Sequence, residues 1–188
     1  MENTCSIIST SATIGVNVRI GRFCIIEDGV HIGDNVIVDD YSMILSNSVI
    51  GNGTRLGTYT KVGRGVRIGI HCKFTSYCEI RDNAILGDRV KMGSRCTLSA
   101  GTIVENDVNM KYSFVVTDTP NLAKDDEKIV GILRQGSRFG ANVTILPGVV
   151  IGRNSEIGAC SQVRHNVPDN EVWYGNPAKY YKKAIVRG

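Results

Sequence analysis

Residues 44–62 read ILSNSVIGNGTRLGTYTKV, and an aliphatic residue returns at every sixth position of this stretch, at Ile44, Ile50, Leu56 and Val62. The same step of six runs from Ile8 to Val116, and all 19 positions on it are apolar. At a hydrophobic content of 42%, such a run arises by chance about once in 10^7 for a chosen register. The period resumes at Leu133 and continues to Val163. The chain is therefore built from a repeat of six residues.

Each repeat has the pattern of one short strand and one corner. A period of six does not suit a helix, because six steps of ~100° leave successive apolar residues on different faces. A small or β-branched residue stands four places after the apolar one, as at Ser48 and Thr54, and alternation along a strand turns both inward. Glycine often follows the apolar residue directly, as at Gly51 and Gly57. We expect these glycines to supply the positive φ of a tight corner.

Strands this short cannot bury a face alone, so successive turns must stack into a parallel β-helix. With three hexads per turn, the chain would form a triangular prism of about eight coils, in which residues 18 apart stack. The period alone fixes neither the number three nor the handedness, and the general rule for parallel crossovers favours a right-handed coil.

Composition narrows the class of protein. A chain of 188 residues suggests a single domain. No apolar run is long enough for a membrane span, and the first residues lack a signal-peptide pattern. We therefore expect a cytoplasmic protein whose six cysteines are free thiols. A net charge of +4 without a long basic run fits small phosphorylated ligands better than a nucleic-acid-binding tract.

The register also predicts which side chains share a side of the prism. One outward column runs from Thr13 to Val150 and becomes apolar in its C-terminal half, at Ile85 and Ile103 among others. We expect it to contribute to a subunit contact, although scattered surface apolar residues are the ordinary alternative. A second outward column is basic, and we interpret it as a solvated face. Four cysteines occupy inward positions, where thiols act as small hydrophobes: Cys24, Cys72, Cys78 and Cys96.

Three features resemble the hexapeptide-repeat acyltransferases, in particular those that N-acetylate nucleotide-linked amino sugars. They are the motif Leu/Ile/Val-Gly-x-x-small-x, the interruption after Val116, and the ending Val167-Pro168 … Gly175-Asn176-Pro177-Ala178-Lys179. The resemblance implies an all-β, left-handed parallel β-helix of three sides, and a homotrimer. We expect a single domain over 1–188, with coils over about 8–168, an inserted loop at 117–132 and a C-terminal cap at 169–188. We expect the cap to include a short basic helix over 178–187.

The inserted loop is the strongest functional signal. The step from Val116 to Leu133 is 17 residues where the repeat requires six, and long polar loops are often functional. The resemblance implies that this loop covers the acyl-transfer site between two subunits, and many family members carry a general-base histidine there. Residues 117–131 contain none. A hydroxyl needs a base to attack a thioester, whereas an amine of near-neutral pKa is already nucleophilic, so the sequence favours N-acylation.

Five residues are candidates for catalysis and acceptor binding. Asp118 and Asn121, both in the loop, are the catalytic candidates; Asp118 can accept a proton or bind an ammonium group, or make only a local turn bond. Ser94, Arg95 and Thr117 are the acceptor-binding candidates. Arg95 stands where the resemblance places a substrate-contacting Asn, and an arginine there can bind a carboxylate or phosphate; a solvated corner arginine is the alternative.

The resemblance implies acetyl-CoA as the co-substrate, bound along stacked corners, and no metal. Small residues would let the pantetheine arm approach the backbone, and a basic residue near the C-terminus would meet a coenzyme phosphate. The candidates are Gly140, Ala141, Ala159, Arg164, His165 and Lys179.

The sequence therefore predicts a homotrimer that transfers an acetyl group from acetyl-CoA to the amine of a nucleotide sugar, with no nucleic-acid or membrane partner. One alternative is a sugar O-acetyltransferase that uses Asp118 or a displaced histidine as base. Another is a non-enzymatic solenoid subunit. The metal-dependent carbonic anhydrases of the same fold need three convergent histidines, which the spacing of His31, His71 and His165 does not supply.

Overall fold

A computed structural model describes residues 5–123 and 128–185, and this part of the chain is all-β. Twenty-five strands of two residues each are followed by two longer strands. The strands are β1 (Ile7–Ile8), β2 (Thr13–Ile14), β3 (Arg19–Ile20), β4 (Ile25–Ile26), β5 (His31–Ile32), β6 (Ile37–Val38), β7 (Met43–Ile44), β8 (Val49–Ile50), β9 (Arg55–Leu56), β10 (Lys61–Val62), β11 (Arg67–Ile68), β12 (Lys73–Phe74), β13 (Glu79–Ile80), β14 (Ile85–Leu86), β15 (Lys91–Met92), β16 (Thr97–Leu98), β17 (Ile103–Val104), β18 (Asn109–Met110), β19 (Val115–Val116), β20 (Ile132–Leu133), β21 (Arg138–Phe139), β22 (Thr144–Ile145), β23 (Val150–Ile151), β24 (Glu156–Ile157), β25 (Gln162–Val163), β26 (Glu171–Gly175) and β27 (Ala178–Lys183).

The strands form three sheets, which are the three faces of a prism. Face A contains β1 and every third strand to β25, and face B contains β2 and every third strand to β23. Face C contains β3 and every third strand to β24, followed by β26 and β27. Partners in the regular coils are 18 residues apart, as for Lys61 with Glu79, which confirms three hexads per turn. The nine strands of face A show that the chain completes eight turns and begins a ninth.

The core is the stack of inward side chains. The apolar residues of the six-residue period are buried from Ile26 onward, among them Ile44, Leu56 and Val62. Several small polar residues between them are satisfied by the coil above, as where the Ser48 hydroxyl donates to the Gly63 carbonyl at 2.7 Å. The buried Ser137 hydroxyl has no such partner among the described residues. Buried hydroxyls in proteins almost always have such partners. The outward columns are confirmed as well, and Ile85 and Ile103 are 48% and 37% exposed.

The prediction that the corner glycines supply the positive φ is wrong. The positive φ occurs two residues after these glycines and is adopted by many residue types, including Asn17 at 56°, after Gly15, and Tyr59 at 59°, after Gly57. Gly51 is instead required by close approach, because a Cβ there would lie 2.5 Å from both the carbonyl carbon and the oxygen of Gly69 in the next coil. Glycine lets one corner sit directly on another.

The C-terminal cap is a hairpin, so the expected short helix over 178–187 is wrong for its described residues. Strand β27 pairs antiparallel with β26, and β26 pairs parallel with β24. Lys183 and the Trp173 indole both donate to the Glu171 carboxylate, at 2.8 and 2.9 Å. The sequence does contain a signal for this hairpin, because a Gly-Asn-Pro turn between two aromatic-rich runs is a hairpin pattern.

No helix among the described residues is both long and apolar enough to cross a membrane.

The four inward cysteines are buried, as predicted, and Cys5 and Cys160 are exposed. Burial raises the pKa of the Cys78 thiol from 9.0 to about 12 and the pKa values of Cys72 and Cys96 to about 11. Low-polarity surroundings disfavour the thiolate, which is the reactive form. These thiols are therefore packing groups.

We predict that Gly51→Ala destabilises the fold by about 2 kcal/mol, because the new methyl group meets backbone that cannot move aside. Thermal or urea unfolding measures the loss. The matched control is Gly65→Asn, since Gly65 has a positive φ of 64° and only the Asn83 side chain blocks its Cβ direction. A Gly51→Ala variant as stable as the parent would refute the close-approach explanation.

We also predict that a thiol reagent at pH 8 labels Cys160 rapidly and Cys24, Cys72, Cys78 and Cys96 only after unfolding. Because the folded pKa values exceed the unfolded value of 9.0, their contribution to stability is complete below about pH 9. It is lost as the pH rises toward 11–12. Peptide mapping after labelling tests the first point, and rapid labelling of Cys78 in the folded protein would contradict it.

Candidate functional site

One edge of the prism carries the inserted loop. We call it the loop edge: it joins face A to face B and consists of the corners 99–101, 117–131, 146–148 and 164–166 with those below them. The interruption leaves the coils in register, because Ile103 still pairs with Ile132 across it. The loop is therefore an addition to an intact prism, which needs no such segment for its own packing.

Asp118 lies at the base of this loop and is 8% exposed. The Thr119 hydroxyl donates to its carboxylate at 3.1 Å. The Lys128 ammonium donates to the Thr119 hydroxyl at 2.7 Å and lies 3.9 Å from the Asp118 carboxylate. The Ile129 amide also donates to the Asp118 carbonyl, at 2.9 Å. Asp118 thus closes the loop onto itself, which is the local role that the sequence left open for it.

The two ends of the loop are attached to the prism. The Thr117 amide and hydroxyl both donate to the Ile145 carbonyl at 3.0 Å, so the side chain of this acceptor-binding candidate is engaged with the backbone. On the return, Ile129 lies so close to the corner above that a Cβ on Gly148 would be 2.7 Å from its Cγ2. Leu122, next to the exposed catalytic candidate Asn121, is 93% exposed. The loop thus presents an apolar side chain away from its own prism.

A different edge carries the other acceptor-binding candidates. We call it the aromatic edge: it joins face C to face A and begins with a stack of exposed rings, Phe23, Tyr41, Tyr59 and Tyr77, whose centroids are 4.9–5.1 Å apart. Ser94 and Arg95 occupy the next corner of this edge. The Ser94 hydroxyl contacts that of Thr75 at 3.0 Å, and Arg95 is exposed with a φ of 61°.

The aromatic edge also carries most of the coenzyme candidates. Gly140 and Ala159 stack there on successive coils, and a Cβ on Gly140 would lie 2.4 Å from the Ala159 nitrogen. Coil stacking alone therefore explains glycine at 140. Ala159 is exposed and Ala141 partly so. Lys179 is exposed in β27, and the hairpin reaches this edge because the Gly175 amide donates to the Ser161 hydroxyl at 3.0 Å.

The remaining coenzyme candidates, Arg164 and His165, lie on the loop edge one coil above Pro147. Both are exposed, and the Arg164 guanidinium donates to the Gln162 side chain at 2.7 Å. Of the other histidines, His31 is on the outer side of face B and His71 is at a corner between faces B and C. His165 is therefore the one histidine on the same edge as the loop.

The predicted residues thus fall into two groups that a single chain does not bring together. Thr117, Asp118, Asn121, Arg164 and His165 are on the loop edge. Ser94, Arg95, Gly140, Ala141, Ala159 and Lys179 are on or beside the aromatic edge. Face A separates the two edges. Within residues 5–123 and 128–185, no three His, Cys, Asp or Glu side chains converge as a metal site would require.

Hexapeptide coils closed by a hairpin cap define a parallel β-solenoid. The profile described as "GMPPB C-terminal domain" matches residues 1–108, and "Bacterial transferase hexapeptide (six repeats)" matches residues 132–165. The chain belongs to the hexapeptide-repeat transferase family.

Individual relatives cover parts of the chain. A candidate lipopolysaccharide biosynthesis O-acetyl transferase, WbbJ of Escherichia coli K12, is 38% identical over 95 residues, 47% of this chain and 48% of its own length. Galactoside O-acetyltransferase of Lactococcus lactis is 52% identical over 45 residues, 24% of this chain and 22% of its own length. The chain thus spans half or less of the curated relatives it matches.

Among solved structures, the UDP-N-acetylglucosamine acyltransferase from Campylobacter jejuni superposes with a TM-score of 0.75 at 19% identity, over 95% of this chain and 73% of that one. At this identity the likeness concerns the fold. It places the coil in the left-handed β-helix class, as the resemblance implied, and not in the right-handed sense that the general crossover rule favours.

Proposed function

We propose that this protein transfers an acetyl group from acetyl-CoA to the amino group of a nucleotide-linked amino sugar. The observation that carries the proposal is the absence of histidine from loop 117–131, together with the engagement of the Asp118 carboxylate by Thr119 and Lys128. A loop that has no histidine, and whose carboxylate at its described base is engaged, favours an acceptor that brings its own lone pair. The neutral amine attacks the thioester carbonyl, the C–N bond forms, the C–S bond breaks, and the leaving thiolate takes up the proton lost by nitrogen.

We propose further that the site is completed by a second copy of the chain in a homotrimer. The support is the division of the candidate residues between the loop edge and the aromatic edge, which face A keeps apart. In a cyclic trimer, the loop edge of one protomer can meet the aromatic edge of the next. The exposed Leu122 on the loop and the apolar Ile85 and Ile103 on face B are suited to that contact.

The co-substrate and the compartment follow from the same proposal. Ala141 and Ala159 would let a pantetheine arm run close to the backbone, and Lys179, Arg164 and His165 would meet coenzyme phosphates from the two edges. Free thiols at all described cysteines suit a reducing cytoplasm, where acetyl-CoA is available.

A second candidate function is O-acetylation of a sugar. The observation in its favour is that the curated relatives at 38% and 52% identity are described as O-acetyl transferases. In that reaction Asp118, or His165 from the same edge, would act as the base.

The acceptor chemistry can be decided with Asp118→Ala, assayed by release of free coenzyme A thiol. For an amino-sugar acceptor we expect kcat/KM to fall less than tenfold and to rise with pH up to the pKa of the amine. For a hydroxyl acceptor, loss of a general base would cost 10²–10⁴-fold. Asp118→Asn is the control, because its amide oxygen can still accept from Thr119 and so preserves the loop. Activity with sugar hydroxyls alone would overturn N-acetylation.

A subunit-mixing experiment tests the shared site. Ala159→Trp obstructs the aromatic edge, and Arg164→Ala with His165→Ala depletes the loop edge; we expect each variant alone to lose coenzyme binding. When the two are refolded together in equal amounts, random cyclic assembly leaves about one quarter of the interfaces with both edges intact. Recovery of about that fraction of activity supports the shared site. No recovery in mixed trimers confirmed by light scattering would place the whole site within one chain.

A further inference from the structure

Face C carries a pair of lysines that the fold leaves uncompensated. Lys73 and Lys91 are direct register partners on adjacent parallel strands, both exposed. Like charges placed opposite each other in a sheet are destabilising. Neither lysine has an ion-pair partner within 4.0 Å among the described residues.

Two other cations of this column have carboxylate partners, whereas Arg19 at its start has none within 4.0 Å among the described residues. Arg55, one coil below, donates to Asp39 at 2.9 Å. Arg138, two coils above Lys91, donates to Glu156 at 3.3 Å. Asp107 is close enough to Lys91 to feel its charge. Its carboxylate, however, accepts two hydrogen bonds from the Arg89 guanidinium, at 2.7 and 2.9 Å. Lys73 and Lys91 are thus adjacent cations without the carboxylate partners that Arg55 and Arg138 have.

A groove of about 280 Å³ lies at these lysines. Lys111, on the next corner of the aromatic edge, adds a third ammonium group to its lining. Thr75, Asn109 and Tyr112 add neutral hydrogen-bonding groups, and none of the described carboxylates lines the groove. The groove reaches Gly93, the residue before Ser94 and Arg95, so it opens beside the acceptor-binding candidates.

We propose that this groove binds the diphosphate group of a nucleotide-containing ligand. Stacked coils place Lys73 and Lys91 about 4.8 Å apart at the backbone, so two ammonium groups can each meet one phosphate of the same diphosphate. Lysine serves as a point-charge partner for phosphate oxygens. The source is either the nucleoside diphosphate of the acceptor or the diphosphate of coenzyme A. The identity of these two ligands rests on the proposed function, whereas binding of a diphosphate in the groove can be tested whether or not acetyl transfer occurs.

Calorimetric titration of the full-length protein with inorganic pyrophosphate tests the site. We expect the parent to bind, with an affinity that falls as salt rises, and the double variant Lys73→Ala with Lys91→Ala to bind at least tenfold more weakly. The matched control is Arg19→Ala with Arg67→Ala, which removes two exposed cations that lack ion pairs and lie outside the groove. We expect the control to bind within twofold of the parent.

Thermal melts show that the variants are folded. Relief of the lysine repulsion predicts that Lys91→Ala melts no lower than the parent, and pyrophosphate should raise the melting temperature of the parent but not of the double variant. Separate titrations with uridine diphosphate and with coenzyme A identify the source of the diphosphate. It is the ligand that the double variant binds more weakly than the parent does.

Four results would overturn the proposal. They are no pyrophosphate binding by the parent, unchanged pyrophosphate affinity in the double lysine variant, equal loss of affinity in the control, and loss of pyrophosphate affinity with unchanged binding of both uridine diphosphate and coenzyme A. Failure of acetyl transfer with intact pyrophosphate binding would instead count against the proposed function alone.

Discussion

The whole structure depends on the close contact of one corner with the corner of the next coil. Parallel strands in neighbouring coils are separated by about 4.8 Å, so the corners must stack at the same rise. Glycines such as Gly51 and Gly140 meet this requirement because a Cβ would collide with backbone at 2.4–2.5 Å. Inside, apolar residues of the period alternate with small ones such as Ser48, whose hydroxyl is satisfied by the coil above. The corners and inward side chains of each coil therefore fix the position of the next coil.

This regularity has a consequence for function. A stiff prism cannot fold its edges toward each other, so residues on the loop edge and the aromatic edge remain on opposite sides of face A. The inserted loop departs from the regular coils, and it closes at its base through the Asp118 carbonyl and carboxylate. Chemistry that needs both edges therefore calls for another copy of the chain, whereas a ligand can lie along one face without one. The lysine groove on face C is of this second kind.

Most of the solenoid could be predicted, because the apolar residue that recurs at every sixth position marks the buried position of each strand. The period identified the strands, the inward cysteines and the exposed Ile85 and Ile103 column. Prediction failed for the C-terminal segment, which lies outside the six-residue repeat. The basic composition of 178–187 suggested a helix, whereas the turn before Ala178 and the aromatic residues around it produce a hairpin. The reason for the corner glycines was also misjudged, since stacking distance is a relation between coils and leaves no trace in a single hexad.

The candidate site was predictable only as a set of residues. The sequence by itself determined the prism, the position of the loop after Val116 and the absence of histidine from it, because these depend on spacing and residue type along the chain. The same spacing already makes Lys73 and Lys91 neighbours in one column. The tertiary structure alone decided that Asp118 is engaged by Thr119 and Lys128, and that neither lysine has an ion-pair partner within 4.0 Å among the described residues. Such facts depend on distances between residues of different coils or across a loop, and side-chain partners at those distances are set by packing in three dimensions.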